Sequence, residues 1–124
     1  MTRLDIVDGV LRVEVLGWDK LWAFKSRLEL PLEHVVSVQR WEPEMKKRFY
    51  GLRAPGTALP GVIVAGTYHQ LVDGKWRHNF FDVHSFERAI VIELENDWYH
   101  HVIVEVENVE EVLRVLDRVR VGVG

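Results

Sequence analysis

Alternation of apolar and polar residues dominates most of the chain and predicts a series of β-strands. The segment GVLRVEVLG places Leu11, Val13 and Val15 on one face and polar residues such as Arg12 and Glu14 on the other, which is the period of a half-buried strand. The same pattern predicts strands within residues 19–25, 27–41, 61–72, 75–84, 89–95 and 98–107. About seven strands are therefore expected.

Turn signals separate these strands and suggest how they pair. Asp73-Gly74 is a two-residue hairpin signal, because glycine accepts the positive φ that such turns require. The segment SFER, residues 85–88, is interpreted as a four-residue turn between antiparallel neighbours. Pro31 interrupts the segment 27–41, so an edge or a bend is expected there.

The period changes to that of an amphipathic helix near the C-terminus, over residues 108–120. Its apolar positions are Val109, Val112, Leu113, Leu116 and Val119. Asn108 is expected to cap the first turn, with Glu111 three residues later. Gly122 is expected to end the helix.

These elements predict a mainly β fold, with about seven antiparallel strands in a barrel or sandwich capped by one C-terminal helix. The 124 residues suit a single domain, residues 1–124, with strands within 10–106 and a long loop at 40–61.

The order and length of the elements resemble the pleckstrin-homology (PH-like) superfamily, especially its small bacterial members. The resemblance is sharpest in FFDVHSFERAIVIELENDWYHHVIVEVENVEEVLRVLDRVR and extends to GLRAPGTALPGVIVAGTY. It implies a scaffold that binds lipid head groups, peptides or partner domains. Phosphoinositide-binding members carry a basic pattern around the first hairpin, whereas VLGWDKLWAFKSR has only a tight turn with Lys20, Lys25 and Arg27 nearby. This departure argues against lipid-phosphate specificity.

Composition and charge narrow the function classes further. The chain has no cysteine, which excludes thiolate chemistry and fits the reducing cytosol, where we expect the protein to reside. It shows no signal-peptide core and no span of about 20 apolar residues, so a membrane segment is not expected. The net charge of −3 argues against general nucleic-acid binding. Five cations and two anions nevertheless give residues 40–53 a local charge of +3.

That basic loop, residues 40–61, is the first candidate site. Its cations and aromatic residues are predicted to bind an anionic ligand or a protein partner; they are Arg40, Trp41, Lys46, Lys47, Arg48, Phe49, Tyr50 and Arg53. In the alternative interpretation the aromatic residues cover one end of the barrel while the cations stay solvated.

Histidines form the second candidate site. Counting outward from Asp73-Gly74 places His69 opposite His78, and the assumed SFER turn places Glu95 beside His78. Two imidazoles and a carboxylate suit Zn²⁺ or Fe²⁺. A flat row across three strands spans about 9 to 10 Å, which is too wide for one ion, so a hydrogen-bonded surface row is favoured and no metal or cofactor is expected. The two imidazoles cannot both carry charge comfortably, which suggests sensitivity to pH near 6.

Other polar residues give less support to catalysis. Asp82 and His84 are one pleat apart, too far for direct contact, and no serine lies in a nucleophile context. His100 and His101 point to opposite faces unless a bulge intervenes, and one of them is expected to lie inward near the helix, hydrogen-bonded.

Apolar residues on the outward side of the central strands give a third candidate surface. Val62, Val64, Tyr68, Phe81 and Val83 are expected to point inward, and Ile63, Leu71, Trp76 and Phe80 outward.

The favoured function is a non-catalytic intracellular binding module. The alternatives are a metal-dependent enzyme that uses the polar residues above and a homo-oligomer that buries Ile63, Trp76 and Phe80 between copies.

Overall fold

The structure is a computed structural model that describes residues 2–16, 27–45, 56–59 and 63–123. This part of the chain contains nine strands: β1 (Thr2–Val7), β2 (Val10–Val15), β3 (Arg27–Pro31), β4 (Val35–Arg40), β5 (Gly56–Leu59), β6 (Ile63–Val72), β7 (Lys75–Val83), β8 (Ala89–Leu94) and β9 (Tyr99–Glu105). One helix, α1 (Val109–Val123), follows. The predicted strand at 19–25 lies outside the described residues.

The nine strands form two sheets. The first has the order β1-β2-β3, and the second has the order β4-β8-β9-β7-β6-β5. Strands predominate in the described part of the chain, which confirms the mainly β class. In the described part of the chain the two sheets do not close into a barrel.

The expectation that all strands are antiparallel was wrong at one pair. Strand β9 lies between β7 and β8, and it is parallel to β7 and antiparallel to β8. Residues 85–88 are therefore part of a crossover, with a 3-10 turn at Phe86–Arg88, rather than a hairpin turn. Ala89 consequently pairs with Glu105 on β9.

Two tight hairpins share one local geometry. The predicted Asp73-Gly74 turn is confirmed, with Val72 opposite Lys75 and a positive φ at both turn residues. The sequence Asp8-Gly9 makes the same turn between β1 and β2, again with a positive φ at both residues. Strand β1 was missed by the sequence analysis, although the same dipeptide signal marks it.

The bend expected at Pro31 is confirmed, and it is where the chain passes from one sheet to the other. Strand β3 ends at Pro31, a 3-10 turn covers Leu32–His34, and β4 then joins the second sheet. The N–H of Leu32 donates to the carbonyl of Gly9 at 2.9 Å, which ties the bend to the first hairpin.

The second sheet is buried on both faces around its centre. Its first face shares a core with the first sheet and α1; members of this core include Leu11, Leu30, Phe80, Ile90, Val102, Val109 and Leu116. Its second face carries a separate cluster: Trp41, Met45, Tyr68, Phe81, Val83, Ala89, Val91 and Ile103. Neighbouring residues Phe80 and Phe81 are both 0% exposed. The expected outward position of Phe80 was therefore wrong, because the first sheet covers that face.

The C-terminal helix is confirmed, and it extends past Gly122 to Val123. The predicted cap is also confirmed, since the N–H of Glu111 donates to the side-chain oxygen of Asn108 at 3.1 Å. No helix in the described ranges has the length and apolar character needed to cross a bilayer.

The predicted loop at 40–61 is only partly a loop. Arg40 is the last residue of β4, and Gly56–Leu59 forms the edge strand β5 beside β6. Residues 46–55 lie outside the described part of the chain.

Candidate functional site

Two of the eight candidate binding residues of the predicted basic loop lie in the described part of the chain, and both make contacts within the protein. The guanidinium of Arg40 forms an ion pair with the carboxylate of Glu110 at the start of α1 and also donates to the carbonyl of Glu87 at 3.4 Å. Trp41 is 8% exposed, and its ring lies 4.5 Å from that of Phe86. These contacts favour the structural interpretation for Arg40 and Trp41.

The other proposed loop residues fall outside the described part of the chain; they are Lys46, Lys47, Arg48, Phe49, Tyr50 and Arg53. Without Arg40, the sequence from Lys46 to Arg53 still holds four cations and no anion, a charge of +4.

The predicted apposition of His69 and His78 is confirmed. Strands β6 and β7 pair these residues directly, because the two-residue turn fixes their register. Their Nδ1 atoms are 2.7 Å apart, and the two ring planes are nearly perpendicular at 89°. An N–H···N bond needs one imidazole as acceptor, so at least one of the two rings is neutral in this arrangement.

Trp98 adds an aromatic surface that the sequence analysis missed. Its ring stacks on that of His78, with centroids 3.9 Å apart and 7° between the planes, and it remains 55% exposed. The turn that carries it is held by Asp97, whose carboxylate contacts His34 Nδ1 at 3.0 Å and accepts from the N–H of Tyr99 at 3.1 Å.

A bulge in β9 brings His100 beside His78. His78 pairs with Tyr99 and Asn79 pairs with His101, so His100 is the extra residue between them. His100 Nδ1 accepts the backbone N–H of His78 at 3.3 Å.

His101 is the inward histidine of this pair. It is 5% exposed and hydrogen-bonded to Asn79 Oδ1 at 3.1 Å. The expected inward, hydrogen-bonded histidine is therefore His101, with Asn79 as its partner. The expected position near the helix was wrong, because His101 shares a face with Ile103 of the second cluster, whereas α1 packs on the first face.

We call the surface formed by His69, Trp76, His78, Trp98 and His100 the histidine patch. Trp76 belongs to it because it is two residues before His78 on β7, so their side chains share a face about 7 Å apart. Trp76 is 56% exposed. The patch thus combines three imidazoles with two exposed indoles.

The electrostatic environment favours the neutral forms of His78 and His100. Burial lowers the pKa of His78, and the neighbouring His69 and His100 lower it further. Burial also lowers the pKa of His100; the cation of Arg77 adds to this effect, and Asp97 opposes it. Neutral imidazoles can accept hydrogen bonds or bind metal ions.

The predicted position of Glu95 beside His78 was wrong. Because β9 lies between β7 and β8, Glu95 is on the far side of β9, exposed, with its N–H bonded to the carbonyl of His34 at 2.9 Å. Across the described ranges, no group of three or more His, Cys, Asp or Glu side chains is arranged to hold a metal ion.

The remaining acid–base candidates of the rival enzyme hypothesis have structural contacts. Asp82 is fully buried, and its Oδ2 accepts from the Thr2 hydroxyl at 2.5 Å, which joins the two sheets. His84 is exposed, and its backbone N–H donates to buried Glu105 at 2.8 Å. Glu105 also accepts from the N–H of Ser85 at 3.2 Å and from Arg88 at 2.7 Å. It therefore holds the crossover between β7 and β8.

Comparison of the chain with family models, with curated proteins and with solved structures finds no significant match. The resemblance to PH-like domains stays a prediction.

Proposed function

We propose that this protein is a non-catalytic binding module that engages a protein partner through the histidine patch. The observation that carries the proposal is the exposure of two large indoles on one face: Trp98 is 55% and Trp76 is 56% exposed. Tryptophan is enriched in protein interfaces and in their binding hot spots, because one side chain offers a large apolar area and an N–H donor.

The surroundings of Trp98 support this role. The indole is held by its stack on His78, and its turn is held by the contacts of Asp97 with His34 and Tyr99. A side chain that is already ordered loses less conformational entropy when a partner covers it, which favours binding.

A cross-linking experiment tests the proposal. A photo-reactive phenylalanine analogue is placed at Trp76 or, as a matched control, at Val115, which is 41% exposed on α1. Cross-linking is carried out in the cells that express the protein naturally. We expect a discrete cross-linked protein from position 76, lost when Trp98→Ala is added, and none from position 115. Equal products from both positions, or none from position 76, would contradict the proposal.

The identity of the cross-linked protein separates two versions of this function. A second copy of the chain would support the homo-oligomer alternative, in which Trp76 is buried between copies. The Ile63 side chain of that hypothesis lies outside the described part of the structure. A different protein would support a hetero-partner. An intracellular location stays part of the proposal in either case.

The basic segment from Lys46 to Arg53 supports a second binding surface, for an anionic ligand. The supporting observation is its charge of +4 without an acidic residue. We expect replacement of Lys46, Lys47, Arg48 and Arg53 by serine to abolish binding of phosphate-bearing or sulfate-bearing ligands without unfolding the domain. Arg40→Ser is the comparison, because Arg40 is already paired with Glu110. An unchanged binding profile in the fourfold variant would end this part of the proposal.

A further inference from the structure

The contact between His69 and His78 has the chemistry of a transition-metal site. The two Nδ1 atoms face each other at 2.7 Å across the β6–β7 hairpin. Neutral imidazole is a common ligand of Cu²⁺, Ni²⁺ and Zn²⁺. In their hydrogen bond only one Nδ1 carries a proton, and a shift of that proton to Nε2 would leave both Nδ1 lone pairs available for one ion.

The separation of the two nitrogens favours one coordination geometry. Two nitrogens that each lie about 2.0 Å from one ion are about 2.8 Å apart at a right angle, but about 3.3 Å apart at the tetrahedral angle. The observed 2.7 Å is the length of the N–H···N hydrogen bond, and it is compatible with the first value. Right-angled nitrogen ligands are typical of tetragonal Cu²⁺ and Ni²⁺, whereas structural Zn²⁺ sites are tetrahedral.

Both rings are held in position by their neighbours. His78 is stacked on Trp98, and the hairpin register holds His69 opposite it. For both lone pairs to converge on one ion, each ring has to turn out of its present orientation, in which the two Nδ1 atoms share a hydrogen bond. The centroid of the third imidazole, His100, is 6.3 Å from that of His78, and its Nδ1 accepts the His78 N–H.

We infer that His69 and His78 form a two-imidazole site for a divalent ion with tetragonal preference, Cu²⁺ before Ni²⁺. The hairpin supplies two adjacent ligands through Nδ1, each ring carries its proton on Nε2, and water completes the coordination. The inference rests on the proposed binding role of the histidine patch, for which it names a ligand. A bound cation would also place positive charge beside Trp76 and Trp98, where an acidic partner surface could contact it.

Metal titration of the complete, tag-free chain tests this inference. The protein is first treated with a chelator and dialysed, and Cu²⁺ and Ni²⁺ are then added as simple salts. We expect one Cu²⁺ per chain. His69→Asn and His78→Asn should each weaken binding at least tenfold, because removal of either ring leaves a single ligand. His84→Asn is the matched control, since this exposed histidine lies outside the patch, and it should bind as tightly as the wild type.

Spectroscopy of the wild-type protein gives a test that does not depend on the folding of a variant. The electron paramagnetic resonance spectrum of the Cu²⁺ form should be axial and should show coupling to two imidazole nitrogens. Coupling to one nitrogen, or affinity that is unchanged within threefold in both His69→Asn and His78→Asn, would overturn the inference.

Tryptophan emission provides a local reporter of the same site. Bound Cu²⁺ quenches nearby indoles, and Trp98 is in contact with His78. The quenching at one equivalent of Cu²⁺ should therefore be clearly smaller in Trp98→Phe, and equal quenching in both proteins would contradict the assigned position. Cross-linking from position 76 is carried out with chelator present, so loss of metal binding and loss of partner binding can be observed separately.

Discussion

The indole of Trp98 lies flat on the imidazole of His78, with 3.9 Å between ring centroids and 7° between planes. The two residues come from different hairpins, since His78 belongs to the β6–β7 hairpin and Trp98 to the turn between β8 and β9. Their contact exists because β9 pairs in parallel with β7, with Tyr99 opposite His78.

The stack predicts an unusual magnetic environment for His78. Protons above the face of an indole experience its ring current, so the carbon-bound ring protons of His78 should resonate upfield of those in an exposed histidine. Trp98→Ala should return them toward ordinary values, measured in two-dimensional proton–carbon spectra of the metal-free protein. Trp76→Ala is the control and should leave the shift largely in place. A normal His78 shift in the wild type would contradict the stack.

Glu105 is expected to contribute strongly to stability. Its side chain is 1% exposed and accepts hydrogen bonds from the N–H groups of His84 and Ser85 and from Arg88. Hydrogen bonds to charged groups contribute about 1.5 to 3 kcal/mol, and part of the Arg88 contribution is screened because that side chain is 52% exposed. Glu105→Gln should therefore lower the free energy of unfolding by about 2 to 3 kcal/mol.

Urea denaturation measures this effect, with Glu107→Gln as the matched control. Glu107 is exposed two residues farther along the chain, so its replacement should change the free energy of unfolding by less than about 0.5 kcal/mol. Equal effects of the two substitutions would show that the buried contacts of Glu105 do not stabilise the crossover.

The hydrogen bond between Thr2 and Asp82 is expected to stabilise the packing of the two sheets. Thr2 is 4% exposed and Asp82 is fully buried, so the hydroxyl solvates a carboxylate away from water. Thr2→Val keeps the shape of the side chain but removes this donor, and it should lower the free energy of unfolding by about 1.5 to 3 kcal/mol.

The neighbouring Arg3 provides the comparison for Thr2. Its ion pair with Glu14 measures 2.8 Å but lies on the surface, and the Arg3 side chain is 65% exposed. Arg3→Gln should change stability by less than about 1 kcal/mol. If chemical denaturation shows a larger loss for Arg3→Gln than for Thr2→Val, the proposed importance of the contact between the sheets is wrong.

The raised pKa of Tyr99 predicts that the folded protein loses stability at alkaline pH. Burial raises the pKa of the Tyr99 hydroxyl above its ordinary value of 10.0; the negative charge of Asp97 adds to this effect, and a hydrogen bond with Thr67 opposes it. The pKa of Tyr99 is higher in the folded than in the unfolded protein, so protonated Tyr99 contributes to stability. This stabilisation is complete below pH 10 and is lost as the pH rises through the folded-state pKa.

Stability measurements at pH 8 and pH 11 test the sign of this effect. The wild type should lose more stability between these values than Tyr99→Phe, which has no ionisable group at this position. Absorbance at 295 nm, compared between the two proteins, should show Tyr99 titrating above pH 10. A Tyr99 titration below pH 10 would contradict the assigned effect of burial.

Local sequence signals accounted for the parts of the fold that depend on neighbouring residues. Asp73-Gly74 determines the register of β6 and β7, and this register alone brings His69 opposite His78. Asn108 marks the start of α1 in the same local way. Strand β1 could also have been predicted from the sequence, because Asp8-Gly9 carries the same turn signal as Asp73-Gly74.

The remaining features depend on contacts between distant residues, which alternation does not reveal. The insertion of β9 beside β7 removes Glu95 from the predicted row and replaces it with Trp98 and His100. Phe80 and Phe81 are both buried because the sheet is covered on two sides, so a period of two cannot tell an inner from an outer face there.

The parallel pairing of β7 and β9 also has a consequence for the order of folding. The β6–β7 and β8–β9 hairpins close over short chain separations, whereas the parallel ladder between them forms only after the crossover is in place. Since His78 and Trp98 are on opposite sides of this ladder, their stack forms only when the two hairpins dock, and it would serve as a kinetic marker of that docking. The part of the tryptophan emission change that is absent in Trp98→Phe should therefore lag behind the formation of backbone structure in either hairpin during refolding.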